Sequence, residues 1–224
     1  MSTDDELAPC RHPSVRGRQP ELKGLADVVR RLITATVTNT ADGTETTAIT
    51  EELARIADRL DAHVPDEVVP RLAADRPPQP GQDNMPYDPV TGVYNPLAIP
   101  LELGVENGRA VGRVIFTTPY EGPPGCVHGA VLAGAFDMVL TAANLVEDAA
   151  GPTMELTIRF RKPTLLYTET RFEAWVAERK GRVTTAAGHA MQGDTVTVEA
   201  IGKFIKLERE DIIKLARRGG GGSA

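Results

Sequence analysis

The sequence predicts an α+β fold in which an antiparallel sheet wraps around one long central helix, with a helical extension in front of it. One long apolar segment, rich in alanine and glycine, occupies about residues 129–146 and is typical of a helix buried on most sides. Two strand-like segments precede it and four follow it, which favours a single sheet packed on this helix. The composition, 41% hydrophobic and 25% charged over 224 residues, is that of a globular protein.

The N-terminal part of the chain is predicted to be a helical extension joined to the main domain by a linker. Residues 1–20 lack hydrophobic periodicity and are expected to form a disordered tail. Residues 21–74 carry apolar side chains at helical spacing, which predicts helices. Residues 38–48 are rich in Thr, Asn, Asp and Gly and predict a loop, so that a second helix would begin near Glu51. Residues 75–96 are rich in proline and predict a stiff, extended linker or a segment that wraps the surface.

Residues 97–218 are predicted to form the main domain. Its first two strands lie in residues 97–105 and 109–117, and the Glu106-Asn107-Gly108 sequence between them predicts a hairpin turn. Strict alternation from Met154 to Arg161 predicts a half-buried strand. The remaining predictions are strands over 166–179, 182–192 and 196–204, a short charged helix over 208–218, and a flexible glycine-rich tail over 219–224.

Composition argues against several partners and compartments. The net charge of −6 is unusual for a nucleic-acid-binding protein. No apolar run approaches the ~20 residues of a membrane helix, and no secretory signal is visible near the start. We therefore expect no nucleic-acid partner and no membrane association. Two cysteines cannot build a disulfide framework, so the expected compartment is the reducing cytoplasm.

Residue types also narrow the chemistry. Serine occurs only at Ser2, Ser14 and Ser223, near the two ends, which nearly excludes a serine nucleophile held in the core. The sequence contains no HExxH motif, no paired CxxC motif and no glycine-rich phosphate-binding motif. We expect no metal and no bound cofactor. Any catalysis is predicted to depend on a carboxylate, a water molecule and backbone dipoles.

The central helix carries one ionisable residue, Asp137, among apolar neighbours. A carboxylate there is costly to bury without a partner, so Asp137 is either a hydrogen-bonded structural residue or part of a polar site. The first N–H groups of the helix lack intrahelical acceptors, and near Gly129 they form a site for a polarised carbonyl. Gly129 and Asp137 are eight residues apart, roughly 12 Å along the helix axis. One copy therefore cannot bring both groups to one carbonyl, whereas two helices packed antiparallel in a homodimer can.

The segment Val127-His128-Gly129-Ala130, followed by Asp137 and by residues 153–163, which end in Pro163, resembles the hotdog-fold acyl-CoA thioesterases of the phenylacetate-pathway and thioesterase-superfamily type. The resemblance covers about residues 97–207. It implies hydrolysis of a fatty or aromatic acyl-CoA at the interface of a homodimer or homotetramer.

The resemblance also implies roles for individual residues. Asp137 would act as general base or nucleophile, the Gly129 amide would polarise the thioester carbonyl, and Thr153 would orient the attacking water. His128 either caps the helix or contacts the substrate carbonyl. The chain departs from the family pattern at Ala130, where a second glycine is usual, and at Gly122, where many members carry asparagine.

Gly122 and the neighbouring Glu121 are candidates for substrate binding, and because of the departure at Gly122, Glu121 is also a candidate for positioning the attacking water. Arg161 and Lys162 are candidates for binding the phosphates of coenzyme A, with a solvated strand face as the commoner explanation. The alternative function is a non-catalytic acyl-CoA sensor or interaction protein. Another hotdog chemistry, such as hydration, is less favoured because no Asp-x-Asn-Pro-x-His run occurs.

Overall fold

The N-terminal extension begins earlier than the sequence suggests. The computed structural model describes residues 14–66, 86–149 and 151–207. Residues 14–17 form a turn in which Val15 is fully buried, and helix α1 spans Gln19–Thr38. The expectation of disorder over residues 1–20 is therefore wrong from residue 14 onward, because Val15 anchors this end of the chain; residues 1–13 lie outside the described part.

Helix α2 spans Gly43–Asp61, so the predicted loop over residues 38–48 is wrong beyond Asp42. The Asp42 carboxylate caps the helix by accepting from the N–H groups of Thr44 and Glu45. Threonine hydroxyls in the first turns donate to carbonyls four residues earlier, which accommodates the polar run inside the helix. A strong cap therefore outweighs the low helix propensity of threonine.

The main domain contains one six-stranded antiparallel sheet and one long helix, which confirms the predicted fold class. The elements are β1 Glu102–Glu106, β2 Arg109–Ile115, α3 Gly129–Val146, β3 Thr153–Phe160, β4 Glu169–Lys180, β5 Val183–Gln192 and β6 Thr195–Ile205. In spatial order the strands are β1-β2-β4-β5-β6-β3, so β1 and β3 form the two edges. Asn107 and Gly108 have positive φ angles of 51° and 76° and form the predicted hairpin turn.

Helix α3 packs against one face of the sheet and forms the core with it. Its buried side includes Phe136, Val139 and Leu140, and the Phe136 ring lies 5.0 Å from that of Phe172 on β4. Contrary to the expectation that no apolar run approaches this length, α3 is, within the described residues, the one helix long and apolar enough to cross a membrane. Its contacts with β1 to β6 identify it as the central helix of this domain. The predicted helix at residues 208–218 lies outside the described residues.

Residues 86–101, which we call the strap, fold compactly instead of forming an extended linker. The Tyr94 N–H donates to the Pro86 carbonyl, and Asp88 accepts from the N–H groups of Val90 and Thr91. Proline restricts φ without preventing turns, and here the turns are closed by these hydrogen bonds. The surface-wrapping alternative therefore describes residues 86–96, while residues 67–85 are outside the described part.

Arg30 of α1 holds the strap against the extension. Its Nη2 atom donates to the carbonyls of Gly92, Val93 and Asn95 over 3.3, 2.9 and 2.7 Å. Its Nη1 atom pairs with Asp27, whose pKa is held below its usual range by a hydrogen bond from Lys23 and by the nearby Arg30 charge. One guanidinium thus joins α1 to a segment more than sixty residues away.

A charged network crosses the outer face of the sheet. Glu173 on β4 accepts from Arg171 and Arg109, and these hydrogen bonds hold the pKa of Glu173 below its ordinary value. Arg171 also pairs with Glu106. The Arg109 guanidinium lies over the Trp175 ring, 4.6 Å from its centre, and makes a cation–π contact with it.

Candidate active site

His128 is the N-cap of α3. The Nδ1 atom of its ring accepts a hydrogen bond from the Ala130 N–H over 3.0 Å, and the backbone N–H of His128 donates to the Tyr120 carbonyl. Because Nδ1 is an acceptor, the proton of the neutral ring lies on Nε2. Of the two roles considered for His128 from the sequence, the structure shows the cap of the helix.

The Gly129 N–H is available at the start of α3. No protein acceptor for it occurs among the residues that the structure describes. The N–H lies at the positive end of an 18-residue helix dipole. The ring of Phe160, at the end of β3, covers Gly129 so closely that an added Cβ would lie 3.1 Å from its Cζ atom. Glycine therefore keeps this amide open and lets Phe160 approach.

The loop before α3 is closed by backbone contacts. The Gly122 N–H donates to the Cys126 carbonyl, and the Glu121 carboxylate accepts from the Gly125 N–H over 2.7 Å. A Cβ at Gly122 would lie 2.7 Å from the Cα of His128. Asparagine, common in the family at this position, would displace the backbone. Glu121 is thus engaged in shaping the loop, and a role toward water or substrate stays a prediction.

Asp137 and Thr153 meet directly. The Thr153 hydroxyl, at the start of β3, donates to Oδ1 of Asp137 over 2.6 Å. No described residue donates to Oδ2, and the Asp137 side chain is only partly buried. The hydrogen bond orients the carboxylate and leaves one oxygen for a further partner. The threonine lone pairs are also free to accept from water.

The side of α3 that carries Asp137 is incompletely covered. Ala130 is exposed and Gly134 and Thr141 are partly buried on this side, whereas the opposite side is in the core. Strand β3 is an edge of the sheet, and its Phe160 is 58% exposed. An open helix side and an open strand edge next to one carboxylate are surfaces that a second copy can occupy.

The two proposed phosphate ligands lie beyond the end of β3. Arg161 makes an exposed ion pair with Glu199 through Nε and Nη2, over 2.8 and 2.6 Å. The Lys162 backbone donates to the Thr197 carbonyl. No recorded contact joins either residue to Asp137. The Arg161 pair favours the solvated-face explanation, and coenzyme A binding at both residues stays a prediction.

Two neighbours of the site were not anticipated from the sequence. Phe160 covers Gly129, and Val90 of the strap lies against Gly134, one turn before Asp137. A Cβ added at Gly134 would lie 3.5 Å from the Val90 side chain. Phe160 ends the alternating strand, which was a usable signal. Nothing local in the proline-rich strap indicates where Val90 lies.

The extension also supports the loop that precedes Gly129. Helix α1 packs against the short 3₁₀ helix Thr118–Tyr120. Burial raises the pKa of Tyr120, whose hydroxyl donates to the Ala98 carbonyl of the strap. Because the Tyr120 carbonyl accepts from His128, the extension is linked to the N-terminus of α3 by a continuous set of contacts.

The comparisons with known proteins identify the family and the fold of this chain. The family model described as Thioesterase superfamily matches residues 124–199, which include Gly129, Asp137 and Thr153. A crystal structure of a thioesterase superfamily protein is 32% identical, covers 83% of this chain and 90% of its own, and has a TM-score of 0.73. This chain belongs to the thioesterase superfamily. The hotdog fold expected from the resemblance is thereby confirmed.

The match with this crystal structure extends beyond the hotdog domain of the present chain. Residues 97–224 are 128 of 224 residues, or about 57%, which is less than the 83% of the chain that is matched. Part of the N-terminal extension must therefore be matched as well. No curated protein is a significant match.

Two further solved structures resemble the chain more distantly. The PaaI protein of the E. coli phenylacetic acid degradation operon is 16% identical, with a TM-score of 0.46, and the match covers 49% of this chain and 81% of PaaI. Thioesterase superfamily member 2 from Mus musculus is 13% identical, with a TM-score of 0.44, and the match covers 47% and 80% of the two chains.

Proposed function

We propose that this thioesterase superfamily member hydrolyses a fatty or aromatic acyl-CoA to the free acid and coenzyme A. The proposal rests on one observation: a carboxylate oxygen and a backbone N–H in α3 are both left without a hydrogen-bond partner among the described residues. Asp137 is oriented by Thr153 with one oxygen left open, and the Gly129 N–H has no acceptor among the described residues. A carboxylate that activates water and an amide that polarises a carbonyl are the two requirements of thioester hydrolysis.

In the proposed reaction, Asp137 takes a proton from a water molecule whose oxygen attacks the thioester carbon. The developing oxyanion accepts a hydrogen bond from Gly129 of the partner subunit. Collapse of the tetrahedral intermediate breaks the C–S bond, and the thiolate of coenzyme A takes up the proton. Direct attack by the Asp137 carboxylate, followed by hydrolysis of the anhydride, gives the same products.

The proposed site requires two copies of the chain. Within one copy, Gly129 and Asp137 are separated by roughly 12 Å of helix, too far for both to contact one carbonyl. A two-fold dimer in which the α3 helices run antiparallel supplies each group from a different copy and forms two identical sites. The open side of α3 and the open edge of β3 support this arrangement. The cytoplasm remains the proposed compartment.

The first test measures coenzyme A release with a thiol reagent over a panel of fatty and aromatic acyl-CoA esters. We expect Asp137→Asn to lower kcat by about 10²- to 10⁴-fold, the usual contribution of a general base. Glu155→Gln is the matched control, because Glu155 lies on the same strand as Thr153 and pairs with Lys203 at the surface. Acyl-CoA binding without release by the wild-type chain would contradict hydrolysis and favour a sensor.

The second test addresses the shared site. Hybrid dimers are made from one Asp137→Asn chain and one Gly129→Val chain, each inactive by itself. If the two groups act across the interface, one of the two sites in the hybrid is intact, and about half of the wild-type activity returns. If both groups act within one copy, every site carries a defect and the hybrid stays inactive.

A further inference from the structure

Helix α2 has a long apolar side that the described part of the chain leaves uncovered. None of its residues is buried, and its recorded hydrogen bonds lie within the helix or its cap. No described helix or strand packs extensively against it. An isolated helix of about this length is only marginally stable in water, and most helices in proteins are stabilised by packing of an apolar side. We therefore expect a partner to pack against the apolar side of α2 and stabilise the helix.

The apolar residues of α2 form a narrow seam. Ile49, Leu53, Ile56 and Leu60 follow one another at spacings of four, three and four residues. This spacing is the core pattern of a coiled coil, in which such residues insert between those of a second helix. Ile49, Ile56 and Leu60 are 41%, 48% and 44% exposed, and Leu53 is partly buried. The seam is long enough for four layers of contact.

The charges beside the seam indicate what covers it. Glu52 and Arg59 flank the seam on the same side, seven residues apart. When two α2 helices run antiparallel, with Ile49 opposite Leu60 and Leu53 opposite Ile56, Glu52 faces Arg59 of the partner subunit. The two-fold axis repeats this ion pair, so one surface matches itself. In a parallel pair the corresponding neighbour of Glu52 would be Ala57, which offers no charge.

We propose that α2 is a docking surface for a second copy of this chain, formed by antiparallel pairing of the two α2 helices around a two-fold axis. The pairing buries the four seam residues of each helix and joins Glu52 to Arg59 in both directions. It does not depend on the proposed thioester chemistry. Asp58 lies away from the seam and stays in solvent, so it provides a control position of the same charge.

The experiment follows amide hydrogen exchange in α2 of the full-length protein without substrate, so that failure of the proposed catalysis leaves it unaffected. In the wild-type chain we expect α2 to be protected far beyond an isolated helix. Glu52→Arg and Arg59→Glu each replace two ion pairs by two like-charge contacts. Since an exposed pair contributes up to about 1 kcal/mol, each variant is expected to raise the exchange rate of α2 about tenfold.

The double variant decides the question. Glu52→Arg combined with Arg59→Glu reverses both charges and restores opposite signs across an antiparallel pair, so protection is expected to return. Asp58→Arg is expected to leave protection unchanged. Exchange at the rate of an isolated helix in the wild-type chain would overturn the proposal. Protection that survives each single variant, or that the double variant fails to restore, would also overturn pairing of α2 with a second α2.

Discussion

Replacing Arg30 by alanine tests whether the N-terminal extension and the strap act as one structural unit with the site. In the structure one guanidinium nitrogen of Arg30 donates to three strap carbonyls, at 3.3, 2.9 and 2.7 Å. The strap in turn places Val90 against Gly134 on α3. Arg30→Ala removes the side chain that joins α1 to the strap. The Gly92 and Asn95 carbonyls keep backbone donors, the N–H groups of Asn95 and Ala98, whereas the Val93 carbonyl loses its donor.

The size of the effect follows from the contacts. A hydrogen bond to a charged group contributes about 1.5–3 kcal/mol. Because the three carbonyls share the hydrogens of one nitrogen, their combined contribution is smaller than that of three separate bonds. The buried Nε atom of Arg30 has no hydrogen-bond partner among the described residues, so its removal relieves part of the desolvation cost. We expect a loss of about 2–3 kcal/mol. For a protein of this size that corresponds to a fall in Tm of about 4–12 °C.

The assay is thermal unfolding of the full-length chain at pH 7, with limited proteolysis to locate the opening. Asp27→Asn is the matched control, because it weakens the exposed ion pairs of Asp27 with Lys23 and Arg30 but keeps all three strap contacts. It is expected to cost less than about 1 kcal/mol. Arg30→Lys, which keeps the charge without the planar fork, is expected to fall between the two. Equal losses in Arg30→Ala and Asp27→Asn would refute the structural role of the strap contacts.

Three further outcomes are expected. Gly129→Ala brings a methyl group to 3.1 Å from the exposed Phe160 ring, which can move aside, so Tm should change little while coenzyme A release falls at least about tenfold. Gly122→Ala instead meets the backbone of His128 at 2.7 Å, and overpacking of about 1–3 kcal/mol should lower Tm. The arginine partners of Glu173 lower its pKa, so this carboxylate contributes stability at neutral pH that is lost as the pH falls below 4.5, toward and through the lowered pKa. A Glu173→Gln variant should therefore show a shallower fall of Tm between pH 5 and pH 3. An unchanged slope would contradict this assignment.

Features set by neighbouring residues were predictable from the sequence. Asn107 and Gly108 adopt the positive φ angles that a tight hairpin needs, because asparagine and glycine tolerate them at low cost. Helix α3 was predictable from its long apolar run, and strand β3 from its strict alternation of apolar and polar residues. The beginning of α2 was missed for a local reason as well: the Asp42 cap outweighs the weak helix propensity of the threonines after it.

The contacts that build the candidate site depend on tertiary structure. The lone ionisable side chain of α3 singled out Asp137 and the family resemblance added Thr153, but their hydrogen bond joins α3 to β3, which only the folded chain brings together. No periodicity links Arg30 to the strap or Val90 to Gly134, since these contacts join residues more than forty positions apart. Local propensities and hydrophobic patterning determined the helices, strands and turns of this protein. Which of their polar groups face one another was decided only when the sheet closed around the helix, because side-chain contacts between distant segments are selected by packing of the whole core.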